Sequence, residues 1–427
     1  MTERTIDKKE GSSKLRTFPI PIDLGEIKEN FTISTNSPSQ LTKEQIINQA
    51  FKFHSEGNIL EAGKYYKQLI KQRCNDHRVF SNYGIILKNS GKLKQAEIST
   101  RKAIELNPNY AEAHCNLGNI LKDLGKLKEA EISFSKSIEL NPDYTLALSN
   151  RAQLFFDKEE FEKALKDSDS CNTKNCRAFS LEILFSLGRI QEIFNRIENS
   201  CEIDNENIRL AAFSSFISKR ENKETYNNFC PNPLSFLHFN NLNFYVKNYK
   251  EFIKKIINEL SDIKTIWEPL NKATHNGFQT PNDINLFSNS SENISYLKSI
   301  IVKELDSYFL KFKKDSCSYI QKWPSNKDLK AWHVVLKTQG YQSAHIHPGG
   351  WLSGVIYLKV VPPMDKDEGA IEFSLNGQNY FDANSPKLIH QPEAGDIVLF
   401  PSSLHHRTIP FSTDTERIVI AFDLVPD

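Results

Sequence analysis

The chain has 427 residues, too many for one ordinary hydrophobic core, so two or three domains are expected. Its 54 Lys plus Arg nearly cancel 53 Asp plus Glu, which argues against a dominant nucleic-acid or membrane surface. Seven cysteines, odd in number and without paired spacing, read as reduced thiols. No run approaches the roughly 18 apolar residues of a membrane span, and the charged opening MTERTIDKKEGSSKLRTF lacks the apolar centre of a secretory signal, so a soluble, cytoplasmic chain is expected.

Residues 1–40 are rich in Ser, Asn, Pro and Lys with little apolar periodicity and are expected to be a flexible tail. From Lys43 a 34-residue period sets in, with copies at 43–76, 77–110, 111–144 and 145–178. Leu117 and Gly118 answer to Tyr83 and Gly84, Gly125 to Gly91, Ala130 to Ala96, Pro142 to Pro108 and Tyr144 to Tyr110. The outer copies keep small residues at Ala50 and Ala152, and at Ala62 and Ala164. Small side chains at Gly118 and Ala130 let two helices approach, and Leu117, Leu121, Ile132 and Phe134 are expected to fill the space between them. The Asn-Pro pairs at 107–108 and 141–142 end one unit and start the next. This pattern resembles the tetratricopeptide repeat, two antiparallel helices per unit. Polar residues of the first helices, Asn82, Lys88, Asn116, Asn119, Lys122 and Asn150, are expected to face a groove that takes a protein or peptide partner.

After Cys171 the phase breaks, and apolar residues from Leu181 to Ile197 and from Ile208 to Ile217 predict degenerate helices that close a solenoid spanning 41–220. The polar, proline-bearing stretch 221–235 is expected to be a linker, leaving 236–427 as a second domain. Amphipathic helices are predicted over Tyr249–Leu260 and Ile294–Phe312, and strands at HNGFQT and Trp332–Lys337. Further strand-like runs cover Trp351–Val361, Ala370–Leu375, Asp396–Pro401 and Arg417–Leu424, separated by Gly, Pro, Asn and Asp, as in a sandwich or barrel of short strands.

Three histidines fall into this frame. His345 and His347 are two apart, so on an extended segment both side chains share one face, and His406 follows a distant strand. Two donors from one segment and one from another suit a mononuclear iron centre with an open side. His405 is adjacent to His406, so their side chains diverge and only one of the two can join the set.

At these residues the chain resembles the 2-oxoglutarate- and Fe(II)-dependent dioxygenases of the prolyl-4-hydroxylase-like branch. That family's pattern is His-x-Asp, a tyrosine on the next strand, a distal His, and an Arg about eleven residues later. His345 matches the first ligand, Tyr357 the tyrosine, His406 the distal ligand, and Arg417 stands 417 − 406 = 11 residues beyond it. The departure is His347, where the family carries a carboxylate. A bacterial subgroup of these oxygenases, often fused to helical repeats, is similar here in its His-x-His-Pro, Ser-Gly-Val and Phe-Pro-Ser blocks.

The resemblance implies an all-α tetratricopeptide solenoid followed by a double-stranded β-helix, or jelly-roll, domain with supporting helices. It implies Fe(II) held by His345 and His406 and 2-oxoglutarate held by Arg417 and Tyr357, where the forked guanidinium suits a carboxylate. His347 lies where it can complete the metal set; a nearby acid, Asp365, Asp367 or Glu372, is the competing third ligand. The implied activity is hydroxylation of a protein or peptide target recruited by the repeats, without nucleic-acid or membrane partners. A non-catalytic scaffold and a three-histidine metal protein that does not use 2-oxoglutarate are the other readings.

Overall fold

The computed structural model describes residues 42–269, 272–288 and 290–426. The expected tail at 1–40 lies outside the described residues. The chain divides into two compact units, up to Asn172 and from Thr173 onward.

The first unit is four helix pairs: α1 (Lys43–Ser55) with α2 (Ile59–Lys71), α3 (His77–Asn89) with α4 (Leu93–Leu106), α5 (Ala111–Asp123) with α6 (Leu127–Leu140), and α7 (Thr145–Asp157) with α8 (Phe161–Cys171). The leading helices start at 43, 77, 111 and 145, so every step is the 34 residues of the sequence period. Gly57, Gly91 and Gly125 turn each pair at φ +76, +74 and +75, a left-handed conformation that costs glycine little. The fourth turn is made by Glu159 at φ +61. Ala113, Leu117, Ile120 and Leu121 line the buried face of α5, and Ala130, Phe134 and Ser137 that of α6. Ile132 does not join them: it is 68% exposed, because it sits two residues from both Ala130 and Phe134 and so points away from their face.

The polar residues expected to face a groove are largely engaged within the solenoid. Lys88 pairs with Asp123 and Lys122 with Asp157, each at 3.1 Å. Asn116 donates to Ser81 Oγ at 3.0 Å, Asn150 to Cys115 Sγ at 3.7 Å, and Asn82 to the Tyr66 hydroxyl at 3.2 Å. These bonds tie one unit to the next, and a side chain so engaged cannot reach a partner without breaking them.

The second unit begins with α9 (Lys174–Ser186), α10 (Ile190–Ser200) and α11 (Ile208–Glu221). There follow β1 (His238–Asn241), α12 (Tyr249–Ser261), β2 (Ile266–Trp267), β3 (Thr274–Gln279), α13 (Glu292–Phe312) and α14 (Ser318–Gln321). The rest is β4 (Leu329–Gln342), β5 (Leu352–Lys359), β6 (Ile371–Ser374), β7 (Lys387–His390), β8 (Asp396–Pro401), β9 (His405–Thr408) and β10 (Arg417–Leu424). All pairings are antiparallel: a seven-stranded sheet in the order β1-β8-β5-β10-β4-β3-β2 and a three-stranded sheet β7-β6-β9. This is the jelly roll, and Phe373 of the small sheet meets Phe400 of the large one at 5.0 Å. The helices α12 and α13 cover its outside, sharing one core with Ile418, Ile420, Phe422 and Leu424 of β10.

The boundary differs from the expected one. Phe213 and Phe216 of α11 pack on Tyr380 at 4.9 and 4.7 Å, and Asn379 donates to Glu182 of α9 at 2.6 Å. Residues 221–235 are no free linker, since Phe229 and Cys230 are buried and Phe229 packs on Trp351 at 4.9 Å. The second unit thus begins at Thr173 rather than at residue 236. Helical periodicity announced α9 and α11 but not the surface they cover. Cys171 and Cys176 are disulfide-bonded, against the expectation of seven reduced thiols, whereas Cys74, Cys115, Cys201, Cys230 and Cys317 are free.

The packing constrains two glycines at matching repeat positions. A Cβ on Gly118 would lie 2.6 Å from the buried Phe134 ring, and one on Gly84 would lie 2.2 Å from the hydroxyl of the buried, β-branched Thr100. Overpacking costs about 1–3 kcal/mol and exceeds the gain of up to about 1 kcal/mol from replacing a helical glycine by alanine. Urea unfolding is therefore expected to show both Gly118→Ala and Gly84→Ala destabilised. A midpoint no lower than that of the natural chain in Gly118→Ala would remove the steric role assigned to that glycine.

Candidate metal centre

The segment after β4 was expected to be extended at the first two histidines. It is a loop, and a single antiparallel bridge holds it in place. His345 N–H donates to His406 O and His406 N–H to His345 O, both at 3.1 Å. His347 N–H donates to Ser402 O at 3.0 Å, which ties the loop to the end of β8. The three imidazoles thereby converge, with ring centroids 4.3 Å apart for His345 and His406, 5.0 Å for His347 and His406, and 5.1 Å for His345 and His347. Among the described residues they form a group able to hold a metal ion, with one potential donor atom from each lying within 4.8 Å of the others.

Their hydrogen bonds select the donor atom. His345 Nδ1 lies 2.7 Å from Ser343 O, His406 Nδ1 3.2 Å from Leu404 O, and His347 Nδ1 2.5 Å from Asp423 Oδ1. Carbonyl and carboxylate oxygens only accept, so each ring carries a proton on Nδ1, and Nε2 is the nitrogen that can turn a lone pair to a metal. Burial, helped by the neighbouring His345 and His347, holds His406 well below the ordinary imidazole range and so keeps it in the neutral form that ligation requires. His405 points elsewhere: its buried ring stands edge-on to Tyr380 at 5.7 Å, and burial first, then Arg209, push it down to about 3.

Arg417 and Tyr357 come together in the interior. Arg417 is 2% exposed, its guanidinium carbon lies 4.9 Å from the centre of the Tyr357 ring, and Arg417 Nε, Arg417 Nη1 and the Tyr357 hydroxyl have no hydrogen-bond partner. Burial, partly offset by the contact between the two side chains, lowers the pKa of Arg417 and raises that of Tyr357 to about 12, and no carboxylate or carbonyl of the chain accepts from Arg417 Nε, Arg417 Nη1 or the Tyr357 hydroxyl. Leaving buried donors unmade is costly, most of all on a charged group. A carboxylate placed there would accept from all of them.

The competing acids do not join the histidines. Glu372 takes two hydrogen bonds from Arg407, at 2.8 and 3.0 Å, and Asp365 is exposed on the loop before β6, with Asp367 close behind it. The carboxylate nearest the cluster is Asp423, which the sequence reading missed. Its signal was available: it interrupts an apolar strand six residues after Arg417, an even offset that puts both on one face. Ser353 and Ser402, which support it, were likewise overlooked.

Residues 330–423, a span that takes in all three histidines, Tyr357, Arg417 and Asp423, match the family described as "Putative 2OG-Fe(II) oxygenase". Tetratricopeptide-repeat families match residues 111–144 and 86–125. The chain joins tetratricopeptide repeats to a 2OG-Fe(II) oxygenase-family domain. Among solved structures, the MamA protein is 18% identical, with 38% of this chain and 90% of that chain covered and a TM-score of 0.34. TTC0263, a thermophilic TPR protein of Thermus thermophilus, is 15% identical over 41% and 98%, with a TM-score of 0.34. YrrB, titled a TPR protein with an unusual peptide-binding site, is 17% identical over 38% and 86%, with a TM-score of 0.32. No curated protein matches the chain.

The oxygenase-family domain has a pH dependence that follows from His405. Its folded pKa lies near 3 against an ordinary 6.5, so between those values the unfolded chain binds more protons and stability falls as the pH falls. At pH 5 the loss from this residue is about 2 kcal/mol relative to pH 7, at about 1.4 kcal/mol per unit. Denaturant unfolding of the metal-free protein at the two pH values is expected to show it, with a shallower slope in His405→Gln. A slope the substitution leaves unchanged would mean that His405 is protonated without cost.

Proposed function

We propose that the chain is an Fe(II)- and 2-oxoglutarate-dependent oxygenase that hydroxylates a protein or peptide target recruited by its repeats. The observation that carries this reading is the buried, unpartnered donor set of Arg417 and Tyr357 in the same family domain as three converging imidazoles. His345, His347 and His406 hold Fe(II) through Nε2. Arg417 and Tyr357 hold the distal carboxylate of 2-oxoglutarate, with Arg417 supplying a forked, charge-assisted contact. Bound iron with its co-substrate supplies the activation of oxygen.

The residues of the chain prepare that chemistry. Backbone bonds between His345 and His406 fix two of the rings before metal arrives, so little ordering remains on binding. Buried Val334 and Val419 face each other between β4 and β10, on the same sheet face as Arg417, and keep water from the guanidinium. Three neutral imidazoles leave the charge of Fe(II) uncompensated within the ligand set, so dianionic 2-oxoglutarate is expected to strengthen metal retention. The repeats fit a recruiting role because stacked helix pairs offer an extended surface to a partner.

If Arg417 clamps the carboxylate, Arg417→Ala is expected to weaken 2-oxoglutarate binding by roughly 1.5–3 kcal/mol while Fe(II) binding stays unchanged. Anaerobic calorimetry on the Fe(II)-loaded protein reads this directly. Unchanged co-substrate affinity would take Arg417 out of the site, whereas no 2-oxoglutarate binding by the natural Fe(II)-loaded chain would favour the reading of the domain as a non-catalytic scaffold.

A further inference from the structure

His347 stands where the His-x-Asp pattern carries a carboxylate, yet a carboxylate lies directly behind it. Asp423 Oδ1 is 2.5 Å from His347 Nδ1. Ser353, paired opposite Asp423 across β5 and β10, donates its hydroxyl to the same Oδ1 at 2.7 Å and lies 3.0 Å from His347 Nδ1. Ser353 Oγ is in turn 2.8 Å from Ser402 Oγ, and Ser402 O accepts the His347 N–H. Gly350 allows the loop to close over this network: a Cβ there would lie 2.7 Å from Ser402 Oγ and 3.0 Å from Asp423 Cγ. The Gly-Gly, Ser-Gly-Val, Phe-Pro-Ser and Phe-Asp blocks thus meet at one hydrogen-bonded group.

We propose that Asp423 is a positioning residue of the metal centre. Its carboxylate, oriented by Ser353, aims His347 Nε2 at the metal and supplies from behind that imidazole the negative charge that the His-x-Asp pattern places on the metal itself. The inference rests on the reading of His347 as a ligand. A carboxylate accepting Nδ1–H fixes the ring's tautomer and makes Nε2 a stronger donor, and such partners are worth about 10–100-fold in metal affinity. The bland alternative is that Asp423 only pins the loop; then its charge would not matter as long as a hydrogen bond survives.

The decisive variants exchange the two positions in the full chain. Anaerobic titration with Fe(II) is expected to show Asp423→Asn weakened about 10–100-fold, with an unchanged circular-dichroism spectrum because the substitution is isosteric. His347→Asp alone is expected to bind metal poorly, because it sets a carboxylate against Asp423. The double variant His347→Asp, Asp423→Asn is expected to recover affinity to within a few-fold of the natural chain, since it moves the charge onto the metal.

In the Co(II)-loaded protein, the exchangeable Nδ1–H resonance of His347 is expected to exchange faster with solvent in Asp423→Asn, while those of His345 and His406 stay. Natural affinity in Asp423→Asn, or His347→Asp binding as tightly as the double variant, would overturn the inference. His347→Ala separates the two levels. Unchanged Fe(II) binding there would remove His347 from the ligand set and the inference with it. Lost binding in His347→Ala beside intact binding in Asp423→Asn would overturn the role of Asp423 alone.

Discussion

The site depends on the alternation of side chains along β10. This strand is the fourth of seven in the large sheet and is paired on both sides, with β5 and with β4, so neither its register nor its facing can slip without breaking both ladders. Ile418, Ile420, Phe422 and Leu424 enter the core beneath α12 and α13. The opposite face then carries Arg417 at one end and Asp423 at the other. One hydrophobic commitment therefore places a cation and an anion in the interior at fixed separation.

Each of those charges makes sense only with a counterpart. Asp423 has its counterpart in the folded chain, two hydrogen-bond donors from His347 and Ser353. Arg417 has an aromatic ring but no acceptor for Nε and Nη1. A carboxylate that accepts from the fold is satisfied within it, whereas a buried guanidinium without an acceptor calls for one from outside the chain. The same logic separates His405 from its neighbour: its ring is packed against Tyr380 and set apart from the histidine cluster, while one ring nitrogen from each of the other three converges.

The repeats were legible almost to the residue because a period of 34 is a global signal that local ambiguity cannot blur, and the helix starts reproduce it. The jelly-roll strands rich in Val, Ile and Phe were legible, the four-residue β6 among them, whereas β7 (Lys387–His390) and β9 (His405–Thr408) are mostly polar and carry too little pattern. His345, His347, His406, Tyr357 and Arg417 were found by type and spacing. Asp423 was not, because its meaning depends on which strand lies beside it, and pairing is written across the whole domain. For the same reason α9 and α11 read as a solenoid cap: an apolar helix face shows that something covers it, not what. Ile132 shows the limit within a repeat, since its apolar character matched the core while its angular position did not.

Three imidazoles and a buried arginine are proposed to form one site for metal and co-substrate together. Anaerobic mixing of the purified chain with Fe(II) and 2-oxoglutarate tests it most directly, read by visible absorption. A metal-to-ligand charge-transfer band that requires both additions is expected, because the band arises only when the keto acid binds at the iron. Tight Fe(II) binding with no such band at saturating 2-oxoglutarate would contradict it, since it would leave the metal and the arginine unconnected.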